Sequence, residues 1–107
     1  MGKLNYIRSL PCAACYSLPR SQAAHSRIGT DGGIAYKPDD KWTLPLCHEC
    51  HHKQHQIGEV AFYGELIERV KMLCLSLDSE FNGKRDWGQG VKLVLDFRRL
   101  YVTKDNG

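Results

Sequence analysis

Two C-x-x-C pairs, Cys12 with Cys15 and Cys47 with Cys50, constrain this chain more than any other feature of it. Two residues between paired cysteines let the backbone turn until both sulfurs face one point, and two such knuckles supply the four thiolates of a tetrahedral Zn²⁺ site. A disulfide framework is the weaker reading. The five cysteines are an odd number, and "MGKLNYIRSLPC" lacks the apolar core and cleavage site of a secretory signal. No apolar run approaches the length of a membrane span. The chain therefore reads as cytoplasmic, with its thiols reduced and open to metal. A four-cysteine site leaves no coordination position free, so this zinc is structural and its binding energy is folding energy. Cys74 falls on an apolar helical stripe and reads as an inert core thiol.

The pairs are separated by 31 residues, enough to carry structure of their own. "AAHSRIGT" predicts a short extended segment ending at a turn, "DGGIAYKPDD" a loop, and "KWTLPLC" a second strand. A helix carrying His51 to His55 follows. From Gly58 onward Val60, Tyr63, Leu66, Ile67, Val70, Leu73, Cys74 and Leu77 recur at helical spacing. They predict one long helix running through Gly64, with Glu65 and Arg69 as an i,i+4 pair. "FNGKRDWGQG" reads as a loop. In "VKLVLDFRRLYV" strand and helix periods compete, and helix is preferred. A chain of 107 residues suits a single domain. The expectation is an α+β fold, with a zinc-braced core over about residues 11–58 and a helical extension over about 59–107.

The segment "PLCHECHHKQH" adds four histidines to the second cysteine pair. His51 and His55, spaced i,i+4, project from one face of a helix and can hold one ion. His48 and His52 share that spacing, but His48 lies between the cysteines and His52 is rotated about 100° from His51. The first pair is therefore preferred, and His48 and His52 are assigned to neither scaffold nor reaction centre. His25, in "AAHSR", is the remaining histidine of the chain. One clamp bracing its strand and the helix brings three imidazoles within reach of one another. The net charge of +3 arises before residue 58, where seven Lys/Arg face four Asp/Glu; beyond it there are eight of each. This is a weak pointer to a polyanionic partner, because four thiolates with one Zn²⁺ subtract two charges.

C-x-x-C, a histidine on a first strand, a Gly-containing loop, and "LC-x-x-CH" leading into a helix resemble the HNH endonuclease superfamily. "AHSRIGTDGGIAYKPDDKWTLPLCHECHHKQH" is similar to small phage and prophage members, including the domain of the recombination-enhancing Ref nucleases. The resemblance implies a ββα-metal, treble-clef-like core and metal-dependent hydrolysis of DNA phosphodiester bonds in DNA processing or recombination. By position it implies that His25 is the general base, that Asp40 orients it in place of the usual Asn, and that His51 and His55 hold a catalytic Mg²⁺, Mn²⁺ or Zn²⁺. Ala24 stands where many members carry a further ligand. Arg27, two residues after His25, is the leading phosphate contact, with Lys37 and Lys53 flanking. Trp42 and Tyr36 read as core and loop packing more readily than as base-stacking platforms. The partners implied are DNA and a recombinase or another phage DNA-processing protein, with no membrane. The rival reading is a non-catalytic zinc module that binds DNA or a recombination protein. A third is an interaction protein whose long helix dimerises.

Overall fold

A computed structural model describes residues 2–15, 21–27 and 39–104. Tyr36, Lys37 and most of the "DGGIAYKPDD" segment lie outside the described residues. The elements run α1 (Lys3–Arg8), β1 (Ser21–His25), β2 (Thr43–Cys47), α2 (His48–Ile57), α3 (Glu59–Tyr63), α4 (Ile67–Asn82) and α5 (Trp87–Thr103). Single 3-10 turns precede β2 (Asp40–Trp42) and α4 (Gly64–Leu66). This is the expected α+β class, reduced to a two-stranded sheet and five helices among the described residues.

The strands pair antiparallel, with Ser21 opposite Cys47, Gln22 opposite Leu46, Ala24 opposite Leu44 and His25 opposite Thr43. That register sets the first histidine beside the 3-10 turn and the start of β1 beside the second cysteine knuckle. Pro45, which has no N–H to give to a ladder, sits opposite Ala23, and its carbonyl accepts from the Ala13 N–H of the first knuckle at 2.9 Å. The sheet is too small to stand alone. Its apolar residues Ala24, Leu44 and Leu46 share one core with Tyr6, Ile7 and Leu10 of the N-terminal segment and with Val70, Leu73, Cys74 and Leu77 of α4. Phe62, Tyr63, Val94 and Phe97 close it from α3 and α5. The Cα radius of gyration, 12.7 Å, is that of one packed domain of this length.

The expected single helix after Gly58 is interrupted. Gly64 adopts φ +61° and ψ −134°, backbone that an L side chain does not readily enter, so α3 stops there and α4 restarts three residues later. Val60, on α3 ahead of the break, is 64% exposed, while Tyr63, Val70, Leu73, Cys74 and Leu77 are buried as the stripe requires. Glu65 lies in the 3-10 turn and Arg69 in α4, so the two do not share a helix; Glu68 and Lys71 pair instead, at 3.5 Å. The loop expected at 81–90 is shorter. Phe81 and Asn82 close α4, and α5 opens at Trp87 under an Asp86 cap whose side chain accepts from the Gln89 N–H. The ambiguous segment after Gly90 is helical, as preferred.

Candidate functional site

The four cysteines meet. The sulfurs of Cys12, Cys15, Cys47 and Cys50 all lie within 4.8 Å of one another, although 31 residues separate the pairs in the chain. Cys15 and Cys47 Sγ are 3.5 Å apart. Sulfurs held about 2.3 Å from one ion at tetrahedral angles stand about 3.8 Å from each other, so the cluster fits Zn²⁺. Backbone N–H groups already point at the sulfurs: Ala14 donates to Cys12 and Cys50 to Cys47. Such bonds favour thiolate and aim its remaining lone pairs at a common centre. A hydrogen bond from Cys50 holds the Cys12 thiol far below the ordinary thiol range, and its partner Cys50 is pushed up in consequence. Cys47 is also the N-cap of α2, so the helix starts inside the second C-x-x-C pair rather than after it. Cys74 stands apart in the core, where burial raises its thiol to about 12 and leaves it unreactive at neutral pH.

Around this clamp the structure assembles two polar pairs. His25 Nε2 lies 2.9 Å from Asp40 Oδ1, the two joined across the residues between β1 and the 3-10 turn. Asp40 is fixed in turn, because its carbonyl accepts from Thr43 Oγ1 at 2.8 Å and from Lys3 Nζ at 3.2 Å. Lys3 also pairs with Asp78 of α4 at 2.9 Å. On α2, His51 and His55 place their Nε2 atoms 3.1 Å apart. Two nitrogens each about 2.1 Å from a shared ion are about 3.0 Å apart at a right angle, so this spacing also fits a metal. Burial, reinforced by the charges of His55, His25 and His48, lowers the His51 pKa. Its ring is neutral at neutral pH, as a metal ligand must be.

Some contacts have no counterpart in sequence reasoning. Gln22 Oε1 is 2.7 Å from His51 Nδ1, and its Nε2 is 3.3 Å from His48 Nδ1. With His52 and His55 these residues line an open cleft of about 260 Å³. His48 thus shares an amide with His51, and its ring stacks near His52 at 6.3 Å. Glu59, buried at the start of α3, accepts from Ser26 Oγ at 2.9 Å and from the Arg27 N–H at 2.8 Å. The carboxylate ties the end of the His25 strand to the far end of the histidine helix. Gly58, at φ +87°, makes the bend that delivers it. Arg27 is exposed, but it lies past the end of β1 rather than on the strand face with His25. Lys53 is exposed on α2, and Trp42 is half-buried against the core.

The family profile described as "Protein of unknown function (DUF968)" matches residues 3–82. The chain belongs to the DUF968 family. The DUF968 match takes in the four cysteines, both polar pairs, Gln22, Glu59 and the whole of α4, and ends where α5 has yet to begin. A curated relative, "Uncharacterized protein YdfU" of Escherichia coli (strain K12), is 32% identical over 68 residues, which are 61% of this chain and 19% of the relative. The chain thus spans about a fifth of that relative's length. No solved structure matches it. No helix among the described residues is long and apolar enough to cross a membrane.

Proposed function

We propose that this DUF968 chain is a metal-dependent DNA endonuclease of the HNH type, built on a zinc-braced ββα-metal core. The observation that carries the reading is the pairing of His25 with Asp40 at 2.9 Å beside a histidine helix whose His51 and His55 Nε2 atoms stand 3.1 Å apart. The first pair orients a base and the second is spaced to hold an ion. The resemblance of the segment from Ala24 to His55 to HNH nucleases supports the same assignment.

In this reading Asp40 accepts the His25 Nε2–H and leaves Nδ1 with its lone pair. Nδ1 takes a proton from a water molecule as the water oxygen attacks phosphorus. The bond from phosphorus to the 3′ oxygen breaks in line, giving a 5′-phosphate and a 3′-hydroxyl once the departing oxygen is protonated from solvent. His51 and His55 would hold a divalent ion, which would supply charge stabilisation to the phosphoryl group and the leaving oxygen. Neutral imidazoles leave that charge undiminished. Lys3 and Thr43 hold the Asp40 backbone, so the base pair is braced from α1, β2 and α4 together. Arg27, exposed beyond the strand, serves in this reading as a backbone phosphate contact, which positions DNA without reading bases. Partner DNA-processing proteins such as a recombinase belong to the same proposal.

The test is plasmid nicking by the purified chain with Mg²⁺, Mn²⁺ and Zn²⁺ in turn. Cleavage that needs added metal and disappears in His25→Ala, at unchanged zinc content and circular dichroism, is expected. A wild-type chain that binds DNA without cutting it under any of these ions contradicts the enzyme and leaves the non-catalytic zinc module in its place.

A further inference from the structure

Gln22 is half-buried on β1, three residues before His25 and opposite Leu46 in the sheet register. Its side chain reaches two rings of α2 at once, the His51 Nδ1 atom from Oε1 and the His48 Nδ1 atom from Nε2. We propose that Gln22 is a positioning residue whose amide selects the ring tautomers of the histidine helix, keeping the His51 proton on Nδ1 so that Nε2 is the atom turned to a divalent cation. The proposal deepens the reading given above and rests on His51 and His55 being the ligands.

The chemistry follows from what each atom can do. A carboxamide oxygen only accepts, so the His51 Nδ1 atom 2.7 Å from it must be the donor. A neutral imidazole carries one N–H, and the lone pair therefore lies on Nε2, which faces His55 Nε2 at 3.1 Å. The amide nitrogen only donates, so His48 Nδ1, 3.3 Å away, accepts and its ring proton sits on Nε2. One side chain thus sets His51 and His48 in opposite tautomers. His51 is open to metal through Nε2, while the Nε2 of His48 is closed by its proton. Turned over, the same amide would reverse both assignments.

A neutral amide suits this place better than the carboxylate that often backs a metal-bound histidine. It orients the ring without adding negative charge beside a polyanionic DNA backbone. Gln22 and His25 also share β1, so a single strand fixes both the metal ligand's tautomer and the base. Any shift in strand register would disturb the two together.

Long-range ¹H–¹⁵N correlation spectra of the imidazoles, recorded on the zinc-loaded chain with no second metal added, read the tautomers directly, and Mn²⁺ titration reads the consequence. The wild type is expected to show His51 protonated on Nδ1 and to bind Mn²⁺ in a manner lost in His55→Ala. Gln22→Leu, similar in size but without polar atoms, should shift His51 away from that tautomer and weaken Mn²⁺ binding by about 10- to 100-fold at unchanged zinc content. Gln22→Glu, which keeps an acceptor for Nδ1–H, should restore it. His51 protonated on Nε2 in the wild type overturns the proposal, as does a Gln22→Leu chain that binds Mn²⁺ like the wild type. In the second case the ligand role of His51 and His55 stands and only Gln22 falls. If the wild type takes up no Mn²⁺, the ligand reading fails and this proposal fails with it.

Discussion

The strand half of the molecule and its helical half are held together by different physics. Up to Ile57 the elements are short, the sheet has two strands, and apolar packing is joined by sulfurs within 4.8 Å of one another and by buried polar ties. From Glu59 onward, α4 and α5 are 16 and 17 residues long and meet through apolar side chains. The polar groups that resemble a catalytic site all lie in the strand half, where cysteine clustering and polar ties add to a share of the common core. Short elements that present imidazoles to solvent gain from coordination a constraint that adds to their burial. The helices then act as a platform, joined to the site through Lys3 and Asp78.

Removing metal from the clamp breaks this comparison most severely. Structural zinc contributes about 10–16 kcal/mol in isolated zinc-finger peptides. Cys12→Ser or a strong zinc chelator should therefore abolish cooperative melting of the strand half, read by hydrogen exchange over residues 21–27 and 43–57. The exchange of α4 and α5 should be less affected. Equal loss in both halves would show that the platform has no stability of its own.

The converse probe is Gly90→Ala in α5. A methyl there overlaps the Tyr6 hydroxyl and meets Leu10 Cδ2 at 3.1 Å. The resulting overpacking should cost about 1–3 kcal/mol in denaturant unfolding while zinc stoichiometry stays the same. Glu59→Ala, at the joint, removes an acceptor from the Ser26 hydroxyl and the Arg27 N–H, and should cost about 1–3 kcal/mol with faster exchange at the end of β1. Lys3→Met, which removes the tie between Asp78 and the Asp40 carbonyl, should cost about 1 kcal/mol, read by chemical denaturation, and should loosen the His25–Asp40 pair. Glu68→Ala, on the exposed face of α4, should change stability by less than about 0.5 kcal/mol.

Legibility in the sequence divides along the same line. The cysteine clamp was readable because C-x-x-C spacing is a local statement about what two thiolates can reach. His51 and His55 were readable because i,i+4 is a property of any helix. The pairing of His25 with Asp40 was anticipated only through resemblance to a family, since they stand 15 positions apart in the chain and no local spacing rule joins them. Gln22, Glu59 and Lys3 carried no signal. A glutamine on a short strand and a glutamate at a helix start are ordinary, and their partners lie 29, 32 or 33, and 75 residues away. The break at Gly64 was hidden because apolar periodicity continues across it, and only the positive φ reveals that the stripe is carried by two helices. α5 was ambiguous because its apolar residues satisfy both periods until α4 and the N-terminal segment select Val94 and Phe97 as the buried side.

In the proposed reading one short helix serves two metals, a closed site of four cysteines at its start and an open one on its histidines. Metal content after exhaustive dialysis, followed by Mn²⁺ titration of the zinc-loaded chain, tests it directly. One retained Zn²⁺ per chain is expected, with one weaker Mn²⁺ site that His51→Ala or His55→Ala removes without loss of zinc. A chain that holds one zinc and takes up no second divalent ion, or one whose Mn²⁺ site survives the loss of both histidines, would overturn that reading.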